Sequence, residues 1–590
     1  MPTLTIDNVT VEVPQGATVL EAAKKAGIKI PTLCYLEDVQ AIGACRVCMV
    51  EVEGARSLLA SCVTPAADGM KVHTNSKKAR EGRRTVVELL LSDHTGDCQV
   101  CDRNDDCELQ ALARDLGIRE VTYPGEKSRQ YIDESTPALV RDTAKCVLCR
   151  RCVTVCNDTQ GVCGIFPQSR GFSTVVGPAF TSNLDDVVCV QCGQCSAVCP
   201  VGAISERDQV REVWAALDDP TKTVVVQTAP AIRAALGECF GLEPGTLVTG
   251  RMVTALRRLG FHAVFDTNFS ADLTIMEEGT ELLTRLKKAI VDKEDVALPM
   301  FTSCSPGWIK FLEYFYPDML DNLSTCKSPQ QMFGALAKTY YAEKIGKKPE
   351  EMIVVSIMPC TAKKYEAQRP EMWDSGAQDV DFVLTTRELG RMITEAGIDF
   401  VNLPDDKQDA PLGMSTGAAD IFANTGGVME AALRTAWEIV TGVELPFDKL
   451  HVTPVAGLEG IKEAAVTFKG CKPEWSFLEG VEAKVAVAHG LGNARALIER
   501  VRSGEAAYHF IEIMTCPGGC IGGGGQPRMT TNEIRMKRIE AIYKEDEGRE
   551  LRKSHENPEV KQIYEEFLGE PLGHKSHELL HTKYVKRERV

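Results

Sequence analysis

Two kinds of hydrophobic patterning meet near residue 210. Upstream, apolar and polar residues alternate over Leu4–Ile6 and Thr10–Val13 around a turn at Asp7–Val9, which predicts a small hairpin. A helix is expected from Thr18 to Ala26, then a loop and a further strand at Met49–Val52. Residues 79–118 read as helical, with helix-period apolar spacing in Thr85–Leu91, residues 119–136 as a connector, and 137–209 as loop-rich. Downstream, short β-rich runs at Thr223–Val226, Ala263–Asp266, Ala297–Phe301, Met352–Ile357, Asp381–Leu384 and Lys484–Ala488 alternate with helical patterns. That alternation predicts parallel sheets covered by helices on both faces. From about residue 528 the chain turns charged and helix-prone. The expected fold is multidomain, α+β and then α/β, divided as 1–78, 79–136, 137–209, 210–527 and 528–590.

A length of 590 residues is consistent with several cores rather than one. No apolar run is long enough to cross a bilayer, and the start of the chain alternates like a strand instead of showing a basic then apolar leader, so a cytoplasmic protein is expected. The net charge of −16 argues against nucleic-acid binding. Cysteine changes the picture. Of 23 cysteines, 16 lie between Cys34 and Cys199, and in a long leaderless chain that density points to metal ligation rather than disulfides.

Four cysteine groups precede residue 200. Cys34, Cys45, Cys48 and Cys62 place one CxxC pair in a loop with two distant partners, as plant-type ferredoxins do around a [2Fe–2S] cluster, though the first gap is longer here. A structural zinc site usually shows two tight pairs. His94, Cys98, Cys101 and Cys107 offer one imidazole and three thiolates, a set that suits zinc or a [4Fe–4S] cluster. Cys146, Cys149, Cys152 and Cys156, then Cys189, Cys192, Cys195 and Cys199 followed by Pro200, form an internal duplication of the dicluster ferredoxin type. In that pattern the fourth cysteine crosses over, which assigns Cys146, Cys149, Cys152 and Cys199 to one [4Fe–4S] cluster and Cys189, Cys192, Cys195 and Cys156 to the other. Such a string conducts electrons and implies something at each end.

Three later segments carry further cysteines: Phe301 to Trp308 around Cys304 and Ser305, Met358 to Glu366 around Cys360 and Lys363, and Glu512 to Pro527 around Met514, Cys516 and Cys520 with glycines at 522–525. In content and order they resemble the three signatures of the [FeFe] (iron-only) hydrogenases. The preceding cluster modules also resemble those of the long members, so the likeness covers nearly the whole chain. Cys304 and Cys360 lie just past predicted strands, where ligand sites of open α/β sheets collect. Glycines 522–525 would let backbone approach a bulky inorganic group.

The resemblance implies ferredoxin-like N-terminal domains, an α/β catalytic hydrogenase domain and a helical, small-subunit-like C-terminal extension. Its cofactors would be one [2Fe–2S] cluster, three accessory [4Fe–4S] clusters and an H-cluster: a [4Fe–4S] cubane joined to a di-iron unit with CO, cyanide and azadithiolate. Carried over by position, Cys360, Cys516 and Cys520 are cubane ligands, with Cys520 bridging. Lys363 donates to a cyanide, and Met358, Met514 and the Ala229–Pro230 turn line the pocket. The first signature departs from the family, which has adjacent cysteines where this chain has Cys304 and Ser305. Either Cys304 relays protons and Ser305 stands at the ligand position, or Cys304 ligates and Ser305 takes the proton. Glu278 and Glu281 fall on one face of a helix predicted over Ser270–Ala289, and by position they match the family's proton relay, as does Ser324.

The implied substrates are H2 and protons. The implied partners are ferredoxin or flavin-containing NAD(P)-linked subunits and the maturation proteins. No dinucleotide fingerprint occurs in a convincing βαβ setting, so nicotinamide chemistry would need a partner. The Cys-Ser signature and four-cluster N-terminus resemble the multisubunit, NADP-reducing type. The competing readings are a single-chain ferredoxin-linked enzyme, a molybdenum- or complex-I-type oxidoreductase subunit, and a non-catalytic iron–sulfur assembly or sensor protein. Cys163, Cys239, Cys326 and Cys471 are expected to be small buried hydrophobes. His574, His577 and His581 are expected on a wrapping tail rather than at a metal, and the basic end Lys583–Arg589 in solvent or on a partner.

Overall fold

The computed structural model describes residues 1–123, 125–128 and 130–589. The N-terminal module is a five-stranded sheet in the order Val9–Glu12, Thr3–Ile6, Lys71–His73, Met49–Val52, Leu59–Ala60. Its helix Val19–Lys25 starts at Thr18, whose side chain and Glu21 form a reciprocal capping box. The strands at 59–60 and 71–73 were not legible, being two and three residues long. Helices Lys77–Asp93 and Glu108–Asp115 follow, and the loop between them carries His94 and its three cysteines.

The dicluster region is held by a three-stranded sheet, Ile204–Glu206, Leu139–Asp142 and Ile132–Asp133. Its two cysteine runs repeat one backbone path. Leu148 and Arg150 in the first, and Gln191 and Gly193 in the second, all have positive φ. Three of these are not glycine, and left-handed backbone costs such residues roughly 1–2 kcal/mol each. The path brings backbone N–H groups of Leu148, Gln191 and Gln194 to the sulfurs of Cys146, Cys189 and Cys192.

Residues 210–527, the expected catalytic region, contain two four-stranded sheets. One is wholly parallel, in the order Ala263–Asp266, Thr223–Thr228, Met352–Met358, Phe382–Thr385. The other runs Met300–Phe301, Phe510–Met514, Glu482–His489, Ile461–Thr467, and only the last strand is antiparallel. Strand 510–514 was missed because Glu512 interrupts its apolar run. Its buried carboxylate accepts the N–H groups of Gly426 and Met429, both at 2.7 Å, at the start of helix Gly427–Thr441. Strand 461–467 is the polar edge of its sheet. The expected strand Ala297–Phe301 shrinks to Met300–Phe301, since Pro299 has no N–H for a ladder.

The long helix Thr267–Lys287 is buried on nearly every side and carries Glu278 and Glu281. The tail contributes helices Asn532–Glu547, Pro558–Ile563 and His574–Leu580 and wraps this region. At its basic end Lys583, Lys586 and Arg589 are exposed as expected, but Arg587 is only partly so. Arg587 pairs with buried Glu313 at 2.6 Å, and Arg589 caps the helix Pro306–Phe315 through the carbonyls of Tyr314 and Phe315. Glu313 also holds buried Arg369 at 2.9 Å. Glu313→Ala strands that guanidinium in the interior, so a loss of about 3–5 kcal/mol is expected, read as a lower thermal-inactivation midpoint of the holoenzyme.

Candidate active site

Both sheets of the catalytic region present the C-terminal ends of their parallel strands to one interior space. Cys304 follows strand 300–301, Cys360 follows 352–358, and Cys516 follows 510–514, with Cys520 in the next turn. Met358 and Met514 end their strands and are buried, and buried Pro230 opens the turn after Thr223–Thr228. Met514, Cys304 and Cys520 share one apolar cluster, while Met358 and Ala229 belong to the neighbouring one.

The three signature segments interlock. Lys363 donates to the Cys304 carbonyl at 3.0 Å and to Glu366 at 2.9 Å. Glu366 also accepts from Ser328 and Gln330. The Ser305 hydroxyl lies 2.7 Å from that of Thr515 and accepts the Thr515 N–H at 3.3 Å, which fixes it beside Cys516. The Cys304 thiol instead faces Glu278, Lys363 and Cys520.

The glycine run also packs the signature segments together. A Cβ on Gly523 would meet the Pro359 carbonyl at 2.2 Å, and one on Gly524 the Cys192 carbonyl at 2.3 Å. These glycines dock the third signature on the second and on the last accessory-cluster loop, where Gln194 donates to the Gly522 carbonyl at 2.9 Å. Thr361 likewise donates to the Gln191 carbonyl at 2.8 Å.

The donor set fits an iron–sulfur group. Burial pushes the Cys520 thiol up to about 12, and those of Cys304 and Cys516 well above the ordinary value. Buried thiolates therefore need a cation, which cluster iron supplies. Buried oxygens of Glu278 and Gln330 (both Oε1) have no hydrogen-bond partner within the protein.

A chain of protonatable groups leaves the site. Burial, and then the neighbouring Glu281 carboxylate, push the Glu278 carboxyl up to about 8. Ser324 is hydrogen-bonded to Glu278 and donates to Glu281 Oε2 at 2.9 Å. Arg285 holds Glu281 Oε1 at 2.7 Å. Arg285, Glu366, Gln330, Thr515 and Gln194 were missed as site residues. Only Arg285 had a signal, four residues past Glu281 on the same helix.

The accessory ligand candidates are also brought together. Cys146, Cys149, Cys152 and Cys199 line one small cavity, and Cys156, Cys189, Cys192 and Cys195 another. The crossed grouping expected from the spacing is thus the spatial one. The sulfurs of Cys48 and Cys62 are 3.4 Å apart, and the Cys45 N–H points to Cys34 Sγ at 3.5 Å. His94 Nδ1 accepts the Gly96 N–H at 3.3 Å, while its buried Nε2 has no partner. Gln40 joins the first module to the dicluster region, donating to the carbonyls of Cys34 at 2.8 Å and Cys149 at 3.0 Å. Arg103 joins the second, donating to the Cys199 carbonyl at 2.7 Å. Among the isolated cysteines Cys326 is buried as expected and Cys471 partly so, but Cys163 and Cys239 are exposed.

Comparison with known proteins follows the same order of modules. Residues 1–77 match a 2Fe-2S iron–sulfur cluster binding domain, 83–122 the NADH-ubiquinone oxidoreductase-G iron–sulfur binding region, and 145–203 a 4Fe-4S dicluster domain. Residues 222–524 match the C-terminal domain of the iron-only hydrogenase large subunit, more than half of the chain. The chain belongs to the iron-only hydrogenase family. Residues 532–587 of this hydrogenase match the iron hydrogenase small subunit. It is 54% identical to the NADP-reducing hydrogenase subunit HndD of Solidesulfovibrio fructosivorans over all of both chains. It is 40% identical to iron hydrogenase 1 of Clostridium pasteurianum, covering 99% of this chain and all of that one. A solved variant of the [FeFe]-hydrogenase HydA1 from Chlamydomonas reinhardtii is 48% identical, with a TM-score of 0.57, over 64% of this chain and 99% of the other. As a hydrogenase of this family the chain carries [2Fe–2S] and [4Fe–4S] clusters and an H-cluster, and interconverts H2 with protons and electrons. Among the described residues no helix is long and apolar enough to cross a membrane.

Proposed function

We propose that this hydrogenase is the hydrogen-activating subunit of a cytoplasmic NAD(P)-linked complex working under anaerobic conditions. Electrons would pass between its H-cluster and flavin-bearing partner subunits, or ferredoxin, and maturation proteins would install the di-iron unit. The 54% identity to an NADP-reducing hydrogenase subunit carries the complex membership, and the docking of Gly522–Gly525 on the Cys192–Gln194 loop, with the Cys516 sulfur beside that of Cys192, carries the electron route. Electrons then have a short route from Cys360, Cys516 and Cys520 to the cluster of Cys156, Cys189, Cys192 and Cys195. From there they reach that of Cys146, Cys149, Cys152 and Cys199, and the outer modules through Gln40 and Arg103.

When bound, the H-cluster supplies the metal site for heterolytic H2 chemistry and the cubane through which electrons leave. The chain's own residues handle the protons. Cys304 exchanges a proton between the interior space and Glu278, and Ser324 and Glu281 carry it towards Arg285. Ser305, beside Cys516, would stand at the fourth ligand position, while the Lys363 ammonium is held between the Cys304 carbonyl and Glu366. The test is infrared spectroscopy of anaerobically matured protein. Bands of iron-bound CO and cyanide, together with H2-dependent NAD(P) reduction only when a flavin subunit is added, are expected. Bands with ferredoxin reduction alone would overturn the complex membership, and no bands would overturn the catalytic role.

The same reading places His94 on the [4Fe–4S] cluster of Cys98, Cys101 and Cys107, through its partnerless Nε2. His94→Cys would add a negative charge there. The midpoint potential of that cluster should fall in an electron-paramagnetic-resonance redox titration, with dye-linked H2 oxidation at the H-cluster unchanged.

A further inference from the structure

At Glu281 the proton path meets side chains that proton transfer does not use. Cys326 lies two residues past Ser324, completely buried, with its sulfur 4.0 Å from Glu281 Oε2. His581 faces the same point from the tail, because Cys326 and His581 form a β-bridge. The pairing is held by Lys327 N–H to the Leu580 carbonyl and Thr582 N–H to the Thr325 carbonyl, both at 2.8 Å. One ligand atom from each of Glu281, Cys326 and His581 lies within 4.8 Å of the other two, and all three residues are buried. Thiolate, imidazole and carboxylate are the donors zinc takes, and three protein ligands with an open position form a common arrangement.

The surroundings of His581 supply an independent argument. Its Nε2 lies 3.2 Å from Glu277 Oε2, and Glu277 is itself fixed by the Tyr564 hydroxyl at 2.6 Å and the Leu572 N–H at 2.8 Å. Nδ1 is left towards the Thr325 hydroxyl at 2.8 Å, a group that also reaches Glu281 Oε2. A metal-ligating histidine almost always gives its second ring nitrogen to such a carboxylate, which fixes its orientation and raises its basicity. Arg285 occupies only Oε1 of Glu281, so Oε2 stays on the Cys326 side. The exposed ring of His577, its centroid 4.3 Å from that of His581, gives a route in from solvent.

We propose that Glu281, Cys326 and His581 form a zinc-binding site that closes the proton path when filled. Zinc binding releases the Cys326 thiol proton to solvent and forms a Zn–S bond. Oε2 of Glu281 exchanges the Ser324 hydroxyl for the metal, which breaks the link to Glu278. The closure rests on the proton-path reading above; the binding does not.

The experiment titrates the holoenzyme with Zn2+ against a chromophoric chelator and records zinc X-ray absorption alongside H2 oxidation. One tightly bound equivalent is expected, with one sulfur near 2.3 Å and nitrogen or oxygen near 2.0–2.1 Å, as roughly usual for zinc. Turnover should fall at least tenfold, return on chelation, and leave the iron content unchanged. Cys326→Ala should keep its turnover, lose the sulfur shell and need at least tenfold more zinc for inhibition, and His581→Gln should weaken binding similarly. A sulfur shell and inhibition that persist in Cys326→Ala would overturn the site. Binding that depends on Cys326 and leaves turnover untouched would keep the site and overturn the closure.

Discussion

Replacing Cys304 by alanine is expected to lower hydrogen turnover at least about 100-fold while leaving the infrared bands of the H-cluster in place. Two neighbouring residues compete for two roles, and their surroundings separate them. Ser305 is tied to the hydroxyl and N–H of Thr515, directly before Cys516, so it stands on the cluster-binding side. The Cys304 thiol is held protonated by burial and faces Glu278 and Lys363, so it stands on the proton side. A thiol there gives and takes a proton without leaving a charge in a dry interior, which alanine cannot do. If Cys304 were the fourth cubane ligand instead, alanine would remove an iron ligand and the bands would shift or vanish. Infrared spectra and turnover of one preparation distinguish the two. Ser305→Ala provides the converse, altering the cubane's magnetic resonance spectrum with a smaller effect on proton exchange.

The accessory cysteine groups were legible because cluster binding demands several thiolates at short, fixed spacings, and those spacings survive as pattern whatever the fold around them. The crossed grouping of Cys156 and Cys199 was readable for the same reason. What escaped depends on tertiary contact. Gln194 and Thr361 are ordinary polar residues until the two domains meet. Glycines 522–525 were visible, yet the close approach of Gly523 and Gly524 to the carbonyls of Pro359 and Cys192 was not, because those neighbours are distant in sequence. Strand Phe510–Met514 hid behind Glu512, a charged residue tolerated in a core strand only because helix Gly427–Thr441 points its N-terminus at it. Arg587 read as solvated because nothing local reveals that Glu313 lies buried opposite it.

Glu278→Gln is the second large effect, a loss of about 10²–10⁴-fold in turnover together with a change in the pH profile. The wild-type carboxyl, pushed up to about 8, is mostly protonated at pH 7 and loses its proton as the pH rises through that value. Its acid form delivers protons for H2 evolution, so evolution should decline above pH 8. Its base form accepts them during H2 oxidation, so oxidation should rise towards that pH. Glutamine keeps the shape and a hydrogen bond to Ser324 but neither gains nor loses a proton, so both limbs near pH 8 should disappear while the infrared bands remain. Ser324→Ala should reduce turnover and keep the limb, because Glu278 still titrates while its link to Glu281 is gone. That contrast assigns the pH dependence to the carboxyl and the conduction to the bridge. A limb near pH 8 that survives in Glu278→Gln would place the titrating group elsewhere and remove Glu278 from the path.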